Sequence, residues 1–530
     1  MDATAAALER YQIEGRDVPW LLAHGAEHRA THPALVWDPP DGDLRTWTYE
    51  ELWDDVRRLA AGLHARGVKV GDKVLLHADN SPELVLAWLA CATVGAVGVT
   101  TNTKSVAEEV AWFAEKAQCV AAVTQPRYAG VVATVGPAVT WVAVTEPGEG
   151  EDPAGVTDQR FTSFDGLFAE VHDWPGREPD PVLPYCIMFT SGTTSKPKGV
   201  VHTHANAIWA SRTGARNIDL GPEDRYLVYT PFFHVNAQTW SLLPVLGVGA
   251  TAVLVPKWSS SRFWETVQRH AITHFSLMPF CMSTLMAPDR PHTTLRVGVF
   301  GLIVPNAKDV FGCDVYAAYG MTETVIHAIT GKPSEHPELM SMGWVTPGYE
   351  FAVVDQATGQ LCEPGHTGEL WLRGTRGIQL FLEYFDNPEA NAKSFEDGWF
   401  KTGDMVKRSA GGTVTYVERD ADLLKVGGEN VSAREVEDVA ASVGGVAKVA
   451  VVGKKHDFLD QVAVAFVIKS PDAPEEAMLT KQVIDACAGR LASFKVPRAI
   501  YYVDEFPTGN FDKLLKNQLR ELADAQPYVD

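Results

Sequence analysis

Lys73-Val74-Leu75-Leu76-His77, Ala96-Val97-Gly98-Val99-Thr100 and Val120-Ala121-Ala122-Val123-Thr124 are three short apolar runs separated by two stretches long enough for helices. Runs of this length and β-branched content suit buried strands. Ser81 followed by Pro82 supplies an N-cap and a first-turn proline for the first helix. Ser105 with Glu108 has the spacing of a capping box for the second. The order is βαβαβ, which builds a mostly parallel sheet with helices on both faces and ligands beyond the carboxyl ends of the strands.

The chain has 530 residues, more than one hydrophobic core organises. α/β patterning continues to about residue 420, and the Gly-, Pro-, Asp- and Glu-rich stretch from Glu146 to Pro184 reads as a surface excursion within it. Beyond Ala421 a separate small set follows: a helix opened by Ser432 and Glu435, strands at Val446 to Val452 and Val462 to Ile468, and a helix from Thr480 to Leu491. The expected fold class is α/β: a large multi-lobed N-terminal α/β domain (1–420) and a small α+β C-terminal domain (421–530).

With 46 % hydrophobic and 21 % charged residues the composition is that of an ordinary globular protein. A net charge of -21 argues against a nucleic acid or an anionic membrane as partner. The longest apolar runs, Leu84 to Val99 and Leu242 to Val255, fall short of the ~20 residues of a spanning helix. Cys91, Cys119, Cys186, Cys281, Cys313, Cys362 and Cys487 form no CxxC pair, and Asp2, Glu9 and Glu14 do not make the start of a signal peptide. Reduced thiols in a cytoplasmic protein are expected.

The strongest chemical signal is Thr190-Ser191-Gly192-Thr193-Thr194-Ser195-Lys196-Pro197-Lys198-Gly199, placed after the apolar run Tyr185 to Phe189. Small hydroxyl residues and glycine let backbone N–H and side-chain O–H groups wrap phosphate oxygens while lysines add charge. Its spacing is not that of GxxxxGK[ST]. By itself the run is as readily a flexible turn.

This decapeptide resembles the phosphate loop of the adenylate-forming superfamily, which holds acyl-CoA synthetases, peptide-synthetase adenylation domains and beetle luciferases. The resemblance continues in order through Thr230-Pro231-Phe232-Phe233-His234, Tyr319-Gly320-Met321-Thr322-Glu323, Gly368-Glu369-Leu370, Thr402-Gly403-Asp404, Arg419, Lys425 to Asn430 and Lys513. It implies ATP, Mg²⁺ and coenzyme A as ligands and a mobile C-terminal domain. Thr190, Ser191, Gly192, Thr193, Thr194, Lys198 and Gly301 would bind ATP or AMP. Glu323 would be the metal carboxylate, since Mg²⁺ on ATP keeps waters and phosphate oxygens as its other ligands. Thr322 would bond the α-phosphate, Tyr319 would lie against adenine, Asp404 would accept from the ribose hydroxyls, and Arg419 would also reach the nucleotide.

Lys513 resembles the C-terminal catalytic lysine, whose ammonium bridges the attacking carboxylate and the α-phosphate. Asp512 stands where the family has glycine, Ala421 stands at the hinge position, and Lys516 is a second candidate. His234, Val235, Leu302 and Gly320 would line the acyl pocket, His234 as wall and not as base. Gly427 and Gly428 would shape the thiol tunnel.

Within the superfamily the chain looks most like crotonobetaine/carnitine-CoA ligases, through Phe233 to Gln238, Met278 to Met286, Gly427 to Ser432 and Phe494 to Arg498. Bulky residues in Phe300-Gly301-Leu302-Ile303-Val304 favour a small, compact acid, betaine-type or aromatic, over a long chain. The expected reaction forms acyl-AMP and pyrophosphate, then a CoA thioester. Rival readings are transfer to a carrier protein or amine, and a catalytically silent nucleotide-binding homologue. The resemblance also allows a homodimer.

Overall fold

The computed structural model describes residues 3–146, 158–190, 197–287, 290–356, 358–419, 423–507 and 514–527. Ser191 to Thr194, Ala421, Asp512 and Lys513 therefore lie outside the described residues. The chain forms two compact units, one of Met1–Thr103, Phe113–Met188 and Gly199–Glu418, the other of Lys104–Trp112, Phe189–Lys198 and Arg419–Asp530.

The βαβαβ reading marks the centre of an eight-stranded sheet. Lys73–His77 pairs in parallel with Val97–Thr100 on one side and Cys119–Thr124 on the other. Between them runs Pro82–Val94, capped by Ser81, whose hydroxyl accepts from the Leu84 N–H at 3.3 Å, and closed by Gly95 in the left-handed region. Every residue of that helix but Glu83 is buried, as a helix packed inside a two-layer arrangement requires. The helix starts one residue later than the capping box predicted at Ser105 and Glu108: it is Ala107–Lys116, and Glu109, not Glu108, accepts from the Val106 N–H at 3.1 Å. Part of the predicted surface excursion is structural. Phe161–Ser163 adds the edge strand, and Leu167 lies so close to Gly62 that a Cβ there would stand 1.4 Å from its carbonyl oxygen.

A second, nine-stranded sheet is parallel from Asp314–Tyr319 through Val297–Phe300, His274–Ser276, Arg225–Val228 and Thr251–Leu254 to Pro33–Trp37. A third, antiparallel sheet carries Glu350–Val354, Thr367–Arg373 and Trp399–Arg408.

In the other unit Val446–His456 and Asp460–Lys469 form a long antiparallel pair, extending both predicted strands. Its side chains alternate with the pleat. Val451, Ala463 and Ala465 pack toward Val436 on Ala433–Ala441 and toward Leu479 and Val483 on Glu476–Arg490. Ala450, Val452, Val464 and Phe466 pack toward Leu519 and Ala523 on Lys516–Asp524. All seven cysteines are unpaired. No helix among the described residues is long and apolar enough to cross a membrane.

Candidate active site

Tyr319 ends a strand of the nine-stranded sheet, and the loop after it carries Gly320, Met321, Thr322 and Glu323. Glu323 is only 5 % exposed, and one carboxylate oxygen accepts from the Tyr384 hydroxyl at 2.9 Å. The main chain then turns sharply at Val325, with φ 66° and ψ −55°, closed by the Ile326 N–H donating to the Thr324 carbonyl at 2.6 Å. This is a γ-turn, costly for a β-branched residue and held only where neighbours over-determine it. The Thr239 hydroxyl supplies one such restraint by donating to the Val325 carbonyl.

Thr322 is fixed from the eight-stranded sheet. His202, on Lys198–Thr203, donates from Nε2 to the Thr322 carbonyl at 2.7 Å. Burial pushes this imidazole down to about 4, so it is neutral, protonated at Nε2 and bare at Nδ1. Asp404 lies on the third sheet, 4 % exposed, after Gly403 in the left-handed region. Its carboxylate accepts from the Tyr319 hydroxyl at 2.5 Å. The turn before it is pinned by Glu369, which accepts from the Gly403 N–H at 2.9 Å and from the Trp371 indole at 3.0 Å. The structure thus gathers Tyr319, Thr322, Glu323 and Asp404 from two sheets. A buried carboxylate beside a hydroxyl is the oxygen-donor set that a nucleotide-borne Mg²⁺ accepts.

Asn80 holds the loop that carries His234, the expected wall of the acyl pocket. It donates to the Thr230 carbonyl at 3.0 Å and accepts from the Phe232 N–H at 2.8 Å. His234 packs on Phe233 with ring centroids 4.4 Å apart, and Val235 and Leu302 are half-buried against the main core. The side chains of the bulky run at 300–304 turn to different sides. Ile303 is buried toward Gly331, Phe300 and Val304 pack into a second core, and Leu302 packs against the main core. Gly301 is exposed, with open space where a Cβ would stand.

In the other unit, Thr190 and Lys198 flank the phosphate run and are half-buried. Arg419 ends Val414–Arg419. Gly427 and Gly428, with φ 58° and 87°, form the two-residue turn between Leu423–Val426 and Glu429–Ser432, a geometry that asks for glycine. Lys516 pairs with Glu437 at 2.8 Å.

Asn80, His202, Glu369 and Tyr384 carry no signature of their own in the sequence. Glu369 alone stood within a motif, Gly368-Glu369-Leu370, whose role the spacing did not disclose.

Residues 22–385 match the AMP-binding enzyme family and residues 435–510 the AMP-binding enzyme C-terminal domain. The chain belongs to this family. A crotonobetaine/carnitine–CoA ligase of Proteus mirabilis is 33 % identical over 506 residues, 92 % of this chain and 95 % of that one. Among solved structures, a double mutant of the o-succinylbenzoate CoA synthetase of Bacillus subtilis, bound with its product analogue, gives a TM-score of 0.81 at 27 % identity, covering 94 % of this chain and 98 % of that chain. The same synthetase in complex with ATP and magnesium ion gives 0.65 at 27 % identity, with the same coverage.

Proposed function

We propose that this AMP-binding enzyme is an AMP-forming carboxylate–CoA ligase acting on a compact acid. The observation that carries the reading is the convergence of Tyr319, Asp404, Thr322 and Glu323, a set of ring, hydroxyl and carboxylates. The near full-length likeness to a CoA ligase supports the choice of reaction and acceptor.

An acid oxygen attacks the α-phosphorus of ATP, the bond to pyrophosphate breaks, and acyl-AMP remains. Asp404 accepts from the ribose hydroxyls, Tyr319 lies along the adenine, and Thr322 donates to the α-phosphate. Mg²⁺ held at Glu323 supplies charge neutralisation of the phosphates. Lys513 bridges the two anions as they meet, an effect greatest where water is excluded. The engagement of Lys516 by Glu437 supports Lys513 for this role. In the second step the CoA sulfur attacks the acyl carbon, AMP leaves with the bonding pair, and the thiol proton is lost. Gly427 and Gly428 line the path of the thiol arm.

We place the division between the two domains at residues 420 and 421, and the reaction in the cytoplasm, where seven unpaired thiols stay reduced. The test is incubation with ATP, Mg²⁺ and a panel of short aliphatic, branched, betaine-type, aromatic and long-chain acids, with and without CoA. Pyrophosphate release with one acid, followed by CoA-dependent AMP release and thioester, is the expected result. Adenylate that persists when CoA is added would overturn the acceptor.

A further inference from the structure

Trp240 and His327 form a polar pair that the fold leaves unsatisfied. Trp240 lies on the π-helical stretch Asn236–Leu242, and its indole meets the His327 imidazole edge to face, with centroids 4.6 Å apart and planes at 72°. The indole Nε1 and both imidazole nitrogens are buried without a hydrogen-bond partner. Buried polar groups in native folds are almost always bonded, and three orphans in one contact call for a cause. An imidazole N–H aimed at the indole face would account for one of them. An indole donor and an imidazole acceptor would remain.

The location of the pair gives the cause. A Cβ on Gly320 would stand 2.8 Å from the Trp240 ring, so the indole fills the space beside the Tyr319–Glu323 loop. Trp240, Val235, Leu302 and Tyr319 all pack against one core while keeping part of their surface open. His327, by contrast, is 1 % exposed. The indole covers it, and no polar contact holds the indole in place, so turning it aside breaks no hydrogen bond.

We propose that the acid turns the Trp240 indole away from Gly320 and that its hydroxyl group is then read by the pair, accepting from Trp240 Nε1–H and donating to the bare nitrogen of His327. The substrate class is a compact carboxylic acid bearing a hydroxyl. This rests on the ligase reading above and adds what the acid carries. Burial pushes the His327 imidazole down to about 3, which keeps one nitrogen bare at any assay pH above that. A neutral pair offers nothing to a quaternary ammonium beyond ring faces.

The test measures kcat/KM for pyrophosphate release with acids paired by a single hydroxyl: butyrate and 3-hydroxybutyrate, benzoate and its 3- and 4-hydroxy forms, cyclohexanecarboxylate and its 4-hydroxy form. A site built around a hydroxyl discriminates strongly against the acid that lacks it. The expected result is a preference of about tenfold or more for the hydroxylated member of at least one pair. His327→Phe and Trp240→Phe, which keep a ring and remove the nitrogens, each bring that ratio toward one. His327→Gln, which keeps a donor and an acceptor, retains more of it. Adenylation of the plain acids with no hydroxyl preference overturns the inference and leaves the ligase reading standing. So does a preference that survives in His327→Phe or, where that variant melts early, in Trp240→Phe. Silence with every acid overturns both.

Discussion

The Tyr319 hydroxyl donates to the Asp404 carboxylate at 2.5 Å, so the ring assigned to adenine and the acid assigned to ribose are bonded to each other. They come from different sheets, 85 residues apart in sequence. The bond holds the Asp404 carboxylate in place. Tyr319→Phe removes that donor while keeping the ring, and the KM for ATP should rise by about tenfold, the loss of one charge-assisted bond. Steady-state kinetics with ATP varied will check it, and an unchanged KM would dissociate the bond from nucleotide binding.

Tyr384 does for Glu323 what Tyr319 does for Asp404. Tyr384→Phe removes one hydrogen bond from a buried carboxylate. The concentration of Mg²⁺ giving half-maximal adenylation should increase several-fold, corresponding to about 1 kcal/mol. A Mg²⁺ titration at saturating ATP reads this directly.

Lys513 and Lys516 are separable. Lys513→Ala should lower adenylate formation by about a hundredfold or more, in the range of lost transition-state charge stabilisation. Thioester formation from synthetic acyl-AMP should be much less affected. Lys516→Ala breaks the ion pair with Glu437 and should register in the melting temperature, not in the adenylation rate. Reversed phenotypes would transfer the catalytic role.

Much of this was open to reading before any coordinate. Ser81, Pro82 and the strand Lys73–His77 stand where propensity and capping put them, because each depends only on neighbours in sequence. The box at Ser105 and Glu108 missed by one residue, since the helix starts after Val106, whose side chain carries no capping signal, and Glu109 takes the place of its chemical twin Glu108. The supports of the site escaped for another reason. His202 reaches a carbonyl 120 residues away, Asn80 one 150 away, and such pairs leave no periodic trace. Trp240 and His327 likewise look like any core aromatic and any core histidine until both are seen to lack partners.

Buried imidazoles set the acid limb of stability. Burial lowers His77, His202 and His274 to about 4, against about 6.5 in the unfolded chain. The unfolded state then binds more protons between these values, so stability falls as pH drops from about 6.5 toward 4, by up to roughly 1.4 kcal/mol per pH unit for each imidazole. Urea midpoints at pH 7 and pH 5 should show this loss, and His202→Gln should lessen the slope by one proton's share. An identical slope would mean that His202 is protonated in the native state.

Gly62 faces the Leu167 carbonyl with no room for a methyl group. Gly62→Ala should cost several kcal/mol, in the range of severe core overpacking. Thermal melting will report it, and a melting temperature within a degree of the parent would show that the Phe161–Leu167 segment shifts freely.

Val325 sits at φ 66°, and the Thr239 hydroxyl bonded to its carbonyl is one of the restraints that hold the main chain there. The main-chain turn that follows Glu323 is therefore held by a residue 86 positions before Val325, one outside the Tyr319–Glu323 loop. Random mutagenesis would register Thr239 as though it belonged to that loop, and a search confined to Tyr319–Glu323 would pass over it. Inheritance of this activity is distributed, and a graft of the five-residue loop onto another scaffold would bring the letters without the posture that gives them meaning.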